Sequence, residues 1–269
     1  MTDTPIAIPG YQIAENIYQS QKTLVYRARR SADGQPVILK LLRREYPTFS
    51  ELVQFRNQYA IAKNLDLPGI VRPLDLQNYR HSFVLVMPNE GYISLHSQMQ
   101  QWHAGDRPLQ FLQQFLAIAI QMTHILEGLY HQRVIHKDIK PKNILVHPET
   151  GHVKLTVFSL ASLLPREQQE IANPKVIEGT LAYMSPEQTG RMNRGIDYRS
   201  DFYSLGVTYY ELLTGKVPFN AVDPMELVHC HIARKPTPPM EINPTIPQVQ
   251  DHTHLNAPTG GVLRYTRLR

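Results

Sequence analysis

The 269-residue sequence contains one cysteine and one tryptophan, and no apolar run able to cross a bilayer. The lone Cys230 excludes an internal disulfide framework and suits a reducing compartment, so a cytoplasmic location is expected. The longest apolar stretch, "FLQQFLAIAIQMTHILEGLY", is interrupted by Gln, His and Glu, so no membrane span is expected. The opening "MTDTPIAIPG" carries an acid and two prolines where a secretory leader would be basic and then apolar. Concentrated charge of one sign is also missing. Lys and Arg number 28 against 23 Asp and Glu, a net charge of +5, but the acids are interleaved almost everywhere. A nucleic-acid surface would need a basic stripe with stacking aromatics, and none is present. The densest basic patch, "GRMNRGIDYR" with Arg191, Arg194 and Arg199, reads as a solvated loop. Zinc spacings are absent too. His229 and His231 flank Cys230 on an expected helix, where close neighbours point apart, and His252 and His254 stand far along the chain. Trp102, His96 and His103 read as surface or packing groups.

What is present suits a soluble globular chain, with 42% hydrophobic and 19% charged residues. Its length allows one large domain or two lobes. "YQIAENIY" and "TLVYRARR" alternate apolar and polar residues, and "PVILKLL" follows the turn "SADGQP", so three strands are expected. "SELVQFRNQYAIAKNL" predicts a helix, with Ser50 as N-cap and Leu52, Phe55, Tyr59 and Ala62 on one face. "GIVRPLDLQNY" and "HSFVLVM" return to strand character. From about residue 108, Leu109, Leu112, Leu116, Ala119 and Ile120 recur at helical spacing. Another helix, "DFYSLGVTYYELLTG", is closed by Gly215. From Pro236 onward the prolines crowd and no sustained apolar period follows, so loop is expected there.

The chemistry concentrates in "VIHKDIKPKNILV", residues 134–146. Phosphoryl transfer needs a carboxylate to orient the attacking hydroxyl, a cation for the γ-phosphate and an amide oxygen for a metal. Asp138, Lys140 and Asn143 offer these groups on one loop, with His136, Pro141 and Leu145 completing the setting.

The segment resembles the catalytic loop of protein kinases, and the lysine two residues after the aspartate resembles the serine/threonine class. Other segments follow in that family's order. Lys40 resembles the small-lobe lysine that holds the α- and β-phosphates, Met87 the gatekeeper and "MPNEG" the hinge. "GTLAYMSPE" resembles the end of the activation segment, with Thr180 facing substrate and Ser185, Pro186 and Glu187 closing it. Asp201 resembles the large-lobe acid that bonds to the catalytic-loop backbone. The likeness covers roughly residues 11–235. Its wording is most similar to the kinase domain of large bacterial hybrid proteins, where an ATPase module, sensor domains and a histidine kinase follow. The resemblance implies an α+β, two-lobed protein kinase-like fold. The small lobe would span 1–86, the hinge 87–92, an incomplete helical lobe 93–235, and a proline-rich segment and irregular tail 236–269. It implies ATP held by Lys40 in a cleft lined by Ile17, Val25, Ile38, Met87, Pro88, Glu90 and Leu145. It implies Mg²⁺ on Asn143, catalysis by Asp138 and Lys140, and a protein substrate or partner.

Several positions depart from the family pattern. "VKLTVFSLAS" occupies the D-F-G place with Phe158 retained, but Ser159 replaces the glycine and Val157 the acid that bridges Mg²⁺ to the phosphates. Valine has no lone pair for a hard cation. Tyr18, Ser20 and Thr23 stand where phosphate-loop glycines are usual, which restricts backbone approach. Gln58 replaces the glutamate that pairs with the strand lysine, Ile38 narrows the adenine site, and Lys137 replaces an arginine. No Ser, Thr or Tyr lies between Leu163 and Gly179, so phosphorylation cannot switch the middle of that loop. The usual Arg partner of Glu187 is not found, and a buried carboxylate without its mate costs about 3–5 kcal/mol. Three readings follow: a serine/threonine kinase, a pseudokinase that takes nucleotide without metal, and a truncated fragment without activity.

Overall fold

Five antiparallel strands begin the chain: β1 (Tyr11–Gln19), β2 (Thr23–Arg30), β3 (Pro36–Leu42), β4 (Asp75–Tyr79) and β5 (Ser82–Pro88). They form one sheet in the order β1-β2-β3-β5-β4. The computed structural model describes residues 6–102, 108–163, 181–191 and 195–246. Alternation along the strands separates two faces. Ala28, Val37, Leu39, Val84 and Val86 bury one face beneath Ile8 of the N-terminal segment. Ile38, Leu85 and Met87 share the other with Phe55 of α1.

Helix α1 (Phe49–Asn64) is inserted between β3 and β4 and buries Phe55, Gln58 and Ala62. Its N-cap is Thr48 rather than Ser50, which lies inside the first turn. Thr48 and Glu51 form a reciprocal capping box that satisfies two otherwise unbonded backbone donors. Leu52 and Tyr59, expected on the buried face, are only half-buried.

The second lobe is helical: α2 (Leu95–Trp102), α3 (Pro108–His131), α4 (Arg199–Thr214), α5 (Pro224–Ala233) and the one-turn α6 (Pro239–Ile242). Short strands β6 (Ile93–Ser94), β7 (Val134–Ile135), β8 (Ile144–Val146), β9 (Val153–Leu155) and β10 (Ser162–Leu163) lie between α1's lobe and α4. The apolar face expected for α3 is rotated in the structure. Leu116 and Ile120 are 49% and 58% exposed, while Ile118, Met122, Ile125, Leu126 and Leu129 enter the core. That helix carries apolar residues on several sides, so periodicity alone does not select the packed one. The side chain of Leu109 lies outside the described residues. Trp102 packs edge-on against Phe111 at 5.9 Å beside the large core.

The proline-rich segment is not wholly loop. Tyr210 donates to the Thr237 carbonyl at 2.9 Å, and Asn243 Nδ2 donates to the Leu213 carbonyl at 2.9 Å, which holds α6 against α4. Among the described residues no helix is long and apolar enough to cross a membrane.

The lobes are joined by backbone as well as side chains. Leu155 N donates to Gly69 O at 2.7 Å, and Val71 N donates to Leu155 O at 3.0 Å. A Cβ added at Gly69 would lie 2.2 Å from Ile125 Cγ1, so a larger residue there would have to displace that side chain. At the hinge, Lys154 Nζ meets Glu90 Oε2 at 2.5 Å and lies over the Tyr92 ring.

Candidate active site

The loop between β7 and β8 carries Asp138, Lys140 and Asn143, and its shape is set from beneath by α4. Asp201 is buried, and its two carboxylate oxygens accept from the backbone N–H groups of His136 and Lys137, each at 2.7 Å. Those bonds hold Lys137 at φ +65°, a left-handed conformation few side chains adopt without support. Burial pushes Asp201 up to about 6, against the two N–H donors that favour its charge. His136 is wholly buried; its Nδ1 accepts from Asp138 N at 3.2 Å, so its Nε2–H donates to Thr156 O at 2.9 Å. Burial pushes this imidazole down to about 4 and keeps it neutral. Its ring meets Phe158 edge-on at 4.7 Å, with Phe158 sealed in the core.

The carboxylate of Asp138 is engaged on both sides. Lys140 Nζ donates to Oδ1 at 2.8 Å, and Asn143 Nδ2 donates to Oδ2 at 2.7 Å and to the Asp138 carbonyl at 2.8 Å. The fold therefore brings these three residues into direct contact. An ionised carboxylate keeps further lone pairs, so Asp138 can still accept from an incoming hydroxyl.

Strand register brings the nucleotide-cleft residues together from the other lobe. Val25 lies opposite Lys40, Arg27 opposite Ile38, Lys40 opposite Leu85 and Ile38 opposite Met87, which sets Val25, Ile38, Lys40 and Met87 on one face. Leu145 of β8 joins Ile38 and Met87 in a single apolar cluster. Ile17 falls in a bulge of β1 and is 42% exposed. Pro88 pairs with Val37 at the hinge end of β5, and the Glu90 carboxylate is committed to Lys154.

Lys40 is buried, with Gln58 Oε1 accepting from its Nζ at 2.6 Å and the Phe55 ring 5.7 Å away. Burial beside a neutral amide pushes the ammonium down to about 8, with Asp138 opposing the shift and Lys140 adding to it.

Val157 is half-buried in the stretch between β9 and Phe158, with φ +66°. A β-branched residue at positive φ is a genuine backbone outlier, costing on the order of 1–2 kcal/mol. Aspartate and asparagine tolerate that conformation much better, so the backbone at 157 suits an acid while the side chain is an isopropyl group.

Mg²⁺ demands oxygen ligands in near-octahedral array. Asn143 offers its Oδ1, Asp138 is already paired to Lys140, and Val157 offers nothing. Among the described residues no group of three or more His, Cys, Asp or Glu gathers to hold a metal. The residues present do not fit a protein-held Mg²⁺ of ordinary strength. His231, on α5, bonds its Nδ1 to the Tyr203 hydroxyl at 2.8 Å and is a packing group.

The end of the activation segment docks on this loop. Gln188 Nε2 donates to Lys137 O at 2.9 Å, and Leu181 and Met184 pack on Phe219 and Leu227. Glu187, expected to lack a mate, accepts from the buried Ser200 hydroxyl at 2.6 Å. The two stand 13 residues apart in different elements, which no local pattern reveals. Residues 164–180, with Thr180 and the stretch free of hydroxyls, lie outside the described residues, as do His103, Arg194, His252 and His254.

Residues 11–256 match the protein kinase domain family. The chain is 32% identical over 238 residues to a probable serine/threonine-protein kinase of Clostridium perfringens, covering 88% of this chain and 33% of that protein. It is 29% identical over 250 residues to the serine/threonine-protein kinase PrkC of Bacillus subtilis, covering 92% and 37%. It is 29% identical over 256 residues to the serine/threonine-protein kinase Pkn1 of Myxococcus xanthus, covering 92% and 35%. The chain thus spans about a third of the length of the curated relatives it matches. With its β-sheet lobe, its helical lobe and its Asp138 loop, this chain belongs to the protein kinase domain family, among the serine/threonine kinases.

Proposed function

We propose that this chain is a nucleotide-binding kinase domain of the pseudokinase type, with phosphoryl transfer to protein Ser or Thr as its ancestral and largely silenced activity. The observation that carries the proposal is Val157, an isopropyl group held at φ +66° where the family places its metal-bridging acid. Removing one preorganised electrostatic group costs on the order of 10²–10³ in rate, and a principal metal ligand is worth at least that.

Nucleotide recognition has support of its own. Val25, Ile38, Met87 and Leu145 supply apolar surface for a base, with Ile17, Pro88 and the backbone at Glu90 along the edge. Lys40 and Lys140 supply two cations toward a polyphosphate, which can offset part of its charge without a divalent ion. Among the described residues Asn143 offers Mg²⁺ an amide oxygen, too little by itself for the ion to carry the nucleotide's charge.

The preserved contact of Asp138 with Lys140 and Asn143 favours a second reading, an active serine/threonine kinase in which Asp138 orients the hydroxyl and Lys140 faces the γ-phosphate. The domain boundaries at 86, 92 and 235 and a role as one module of a longer signalling protein are part of the proposal.

Thermal-shift titration with ATP, with and without Mg²⁺, tests the proposal. A rise in Tm independent of Mg²⁺ supports the pseudokinase reading, a rise that needs Mg²⁺ supports the active kinase, and no rise with either removes both.

A further inference from the structure

We propose a second anion-binding site, on the far side of the small-lobe sheet, that takes a phosphate monoester. The site is a hollow of about 80 Å³, room for several water-sized groups, between the β3 end and the β4–β5 hairpin. Arg43, Arg44 and Arg80 line it against one carboxylate among the described residues, Glu45. The three guanidinium groups are weakly engaged. Arg43 Nη1 donates to Ser20 O at 3.2 Å, Arg44 stands 3.9 Å from Glu51, and Arg80 lies over the Tyr79 ring at 5.2 Å. Among the described residues none forms a bidentate pair with a carboxylate, so donors remain for an oxyanion.

Two further observations point into the hollow. The hydroxyl of Ser82, a residue of its wall, is buried with no hydrogen-bond partner among the described residues, a costly state that an oxyanion reached by turning that hydroxyl toward the hollow would relieve. Arg80 sits at φ +51° in the two-residue turn between Tyr79 and Ser82, a place that glycine or asparagine fills without strain. An arginine there carries strain, and such strain collects at binding sites. The Tyr79 hydroxyl donates to Ala7 O at 3.1 Å, which fixes the wall that carries Arg80. Ile6, Leu24 and Leu42 give the hollow an apolar side, which suits an ester with a small organic body better than a bare ion. Leu24 and Leu41 in its wall belong to the opposite strand face from Val25 and Lys40, and Leu42, on the Lys40 face, borders it only at the last residue of β3, so the hollow is separate from the nucleotide cleft.

Calorimetry with inorganic phosphate and with O-phosphothreonine, at matched ionic strength, tests the inference on the whole chain. The parent should bind phosphothreonine, and phosphate more weakly; equal binding would identify free phosphate as the source while keeping the site. Ser82→Ala and Arg80→Gly should each weaken binding at least tenfold without lowering the Tm of the free protein, since each removes a strained or unpaired group. A Lys40→Met chain should retain the response. Binding unchanged in both pocket variants, binding lost in Lys40→Met, or an effect matched by sodium chloride alone would overturn the inference. A parent chain that binds phosphothreonine but shows no ATP binding would count against the nucleotide-cleft proposal only.

Discussion

Gln58 Oε1 accepts from Lys40 Nζ at 2.6 Å in a buried pair that contains no negative charge. The amide satisfies a donor but neutralises nothing, and the ammonium is pushed down to about 8. Lys40 is therefore cationic at pH 7 and largely neutral at pH 9. ATP affinity is expected to fall across that range, with the midpoint displaced upward by the bound phosphates. Gln58→Glu supplies the missing charge, raises the lysine and flattens the profile. Equilibrium binding of a fluorescent ATP analogue at pH 7, 8 and 9 checks both; a flat profile for the parent contradicts it.

The φ +66° of Val157 predicts that asparagine stabilises this position. Val157→Asn should raise unfolding free energy by about 1 kcal/mol, because asparagine tolerates left-handed backbone that β-branched valine resists. Val157→Asp should share that gain through the backbone and add Mg²⁺-dependent stabilisation that asparagine does not match. Urea unfolding of the three chains with and without Mg²⁺ separates strain relief from metal binding. A destabilised Val157→Asn chain would show that the isopropyl group contributes packing worth more than the strain.

The bond from Ser200 to Glu187 carries a third expectation. Ser200→Ala leaves a buried carboxylate with no partner among the described residues and should cost about 1–3 kcal/mol. Adding Glu187→Gln removes the charge and should recover a large part of that loss. Additive losses in the double-mutant cycle would show that the two side chains are not coupled.

Stability against acid follows from three buried groups. His136 and His231 are each pushed down to about 4 by burial, so each contributes stability present above 6.5 and lost as pH falls toward 4. Asp201 runs the other way: pushed up to about 6, its contribution is present below 3.8 and lost as pH rises through 6. Two protons against one leave a net loss of about 1.4 kcal/mol per pH unit on acidification through that window. His231→Gln keeps a hydrogen-bonding side chain for Tyr203 and should bring the slope of unfolding free energy between pH 6 and 4 close to zero; an unchanged slope contradicts this.

The parts of the site written in short, rigid patterns were legible in the sequence. Asp138, Lys140 and Asn143 lie within six residues of one loop, so their spacing alone brings them together. Ile38 and Lys40 share a strand face by alternation, and Met87 joins them through register. The capping box of Thr48 and Glu51 was also written locally, three residues apart, but the hydroxyl of Ser50 lay closer to the apolar run. Other features depend on tertiary placement. The buried face of α3 is chosen by the elements around it, because Leu116 and Ile120 are as apolar as the residues that entered the core. Ser200 reaches Glu187 only after α4 packs beneath the activation segment. The left-handed backbone at Val157 and Arg80 has no signature in residue type, since neither residue favours it.

The most direct test of a silenced metal site is transfer of radiolabelled γ-phosphate to a generic protein acceptor with Mg²⁺, comparing the parent with Val157→Asp. The aspartate variant should label the acceptor at least ~10²-fold faster than the parent. A parent chain that labels it as fast as the variant would contradict the claim that position 157 limits this domain.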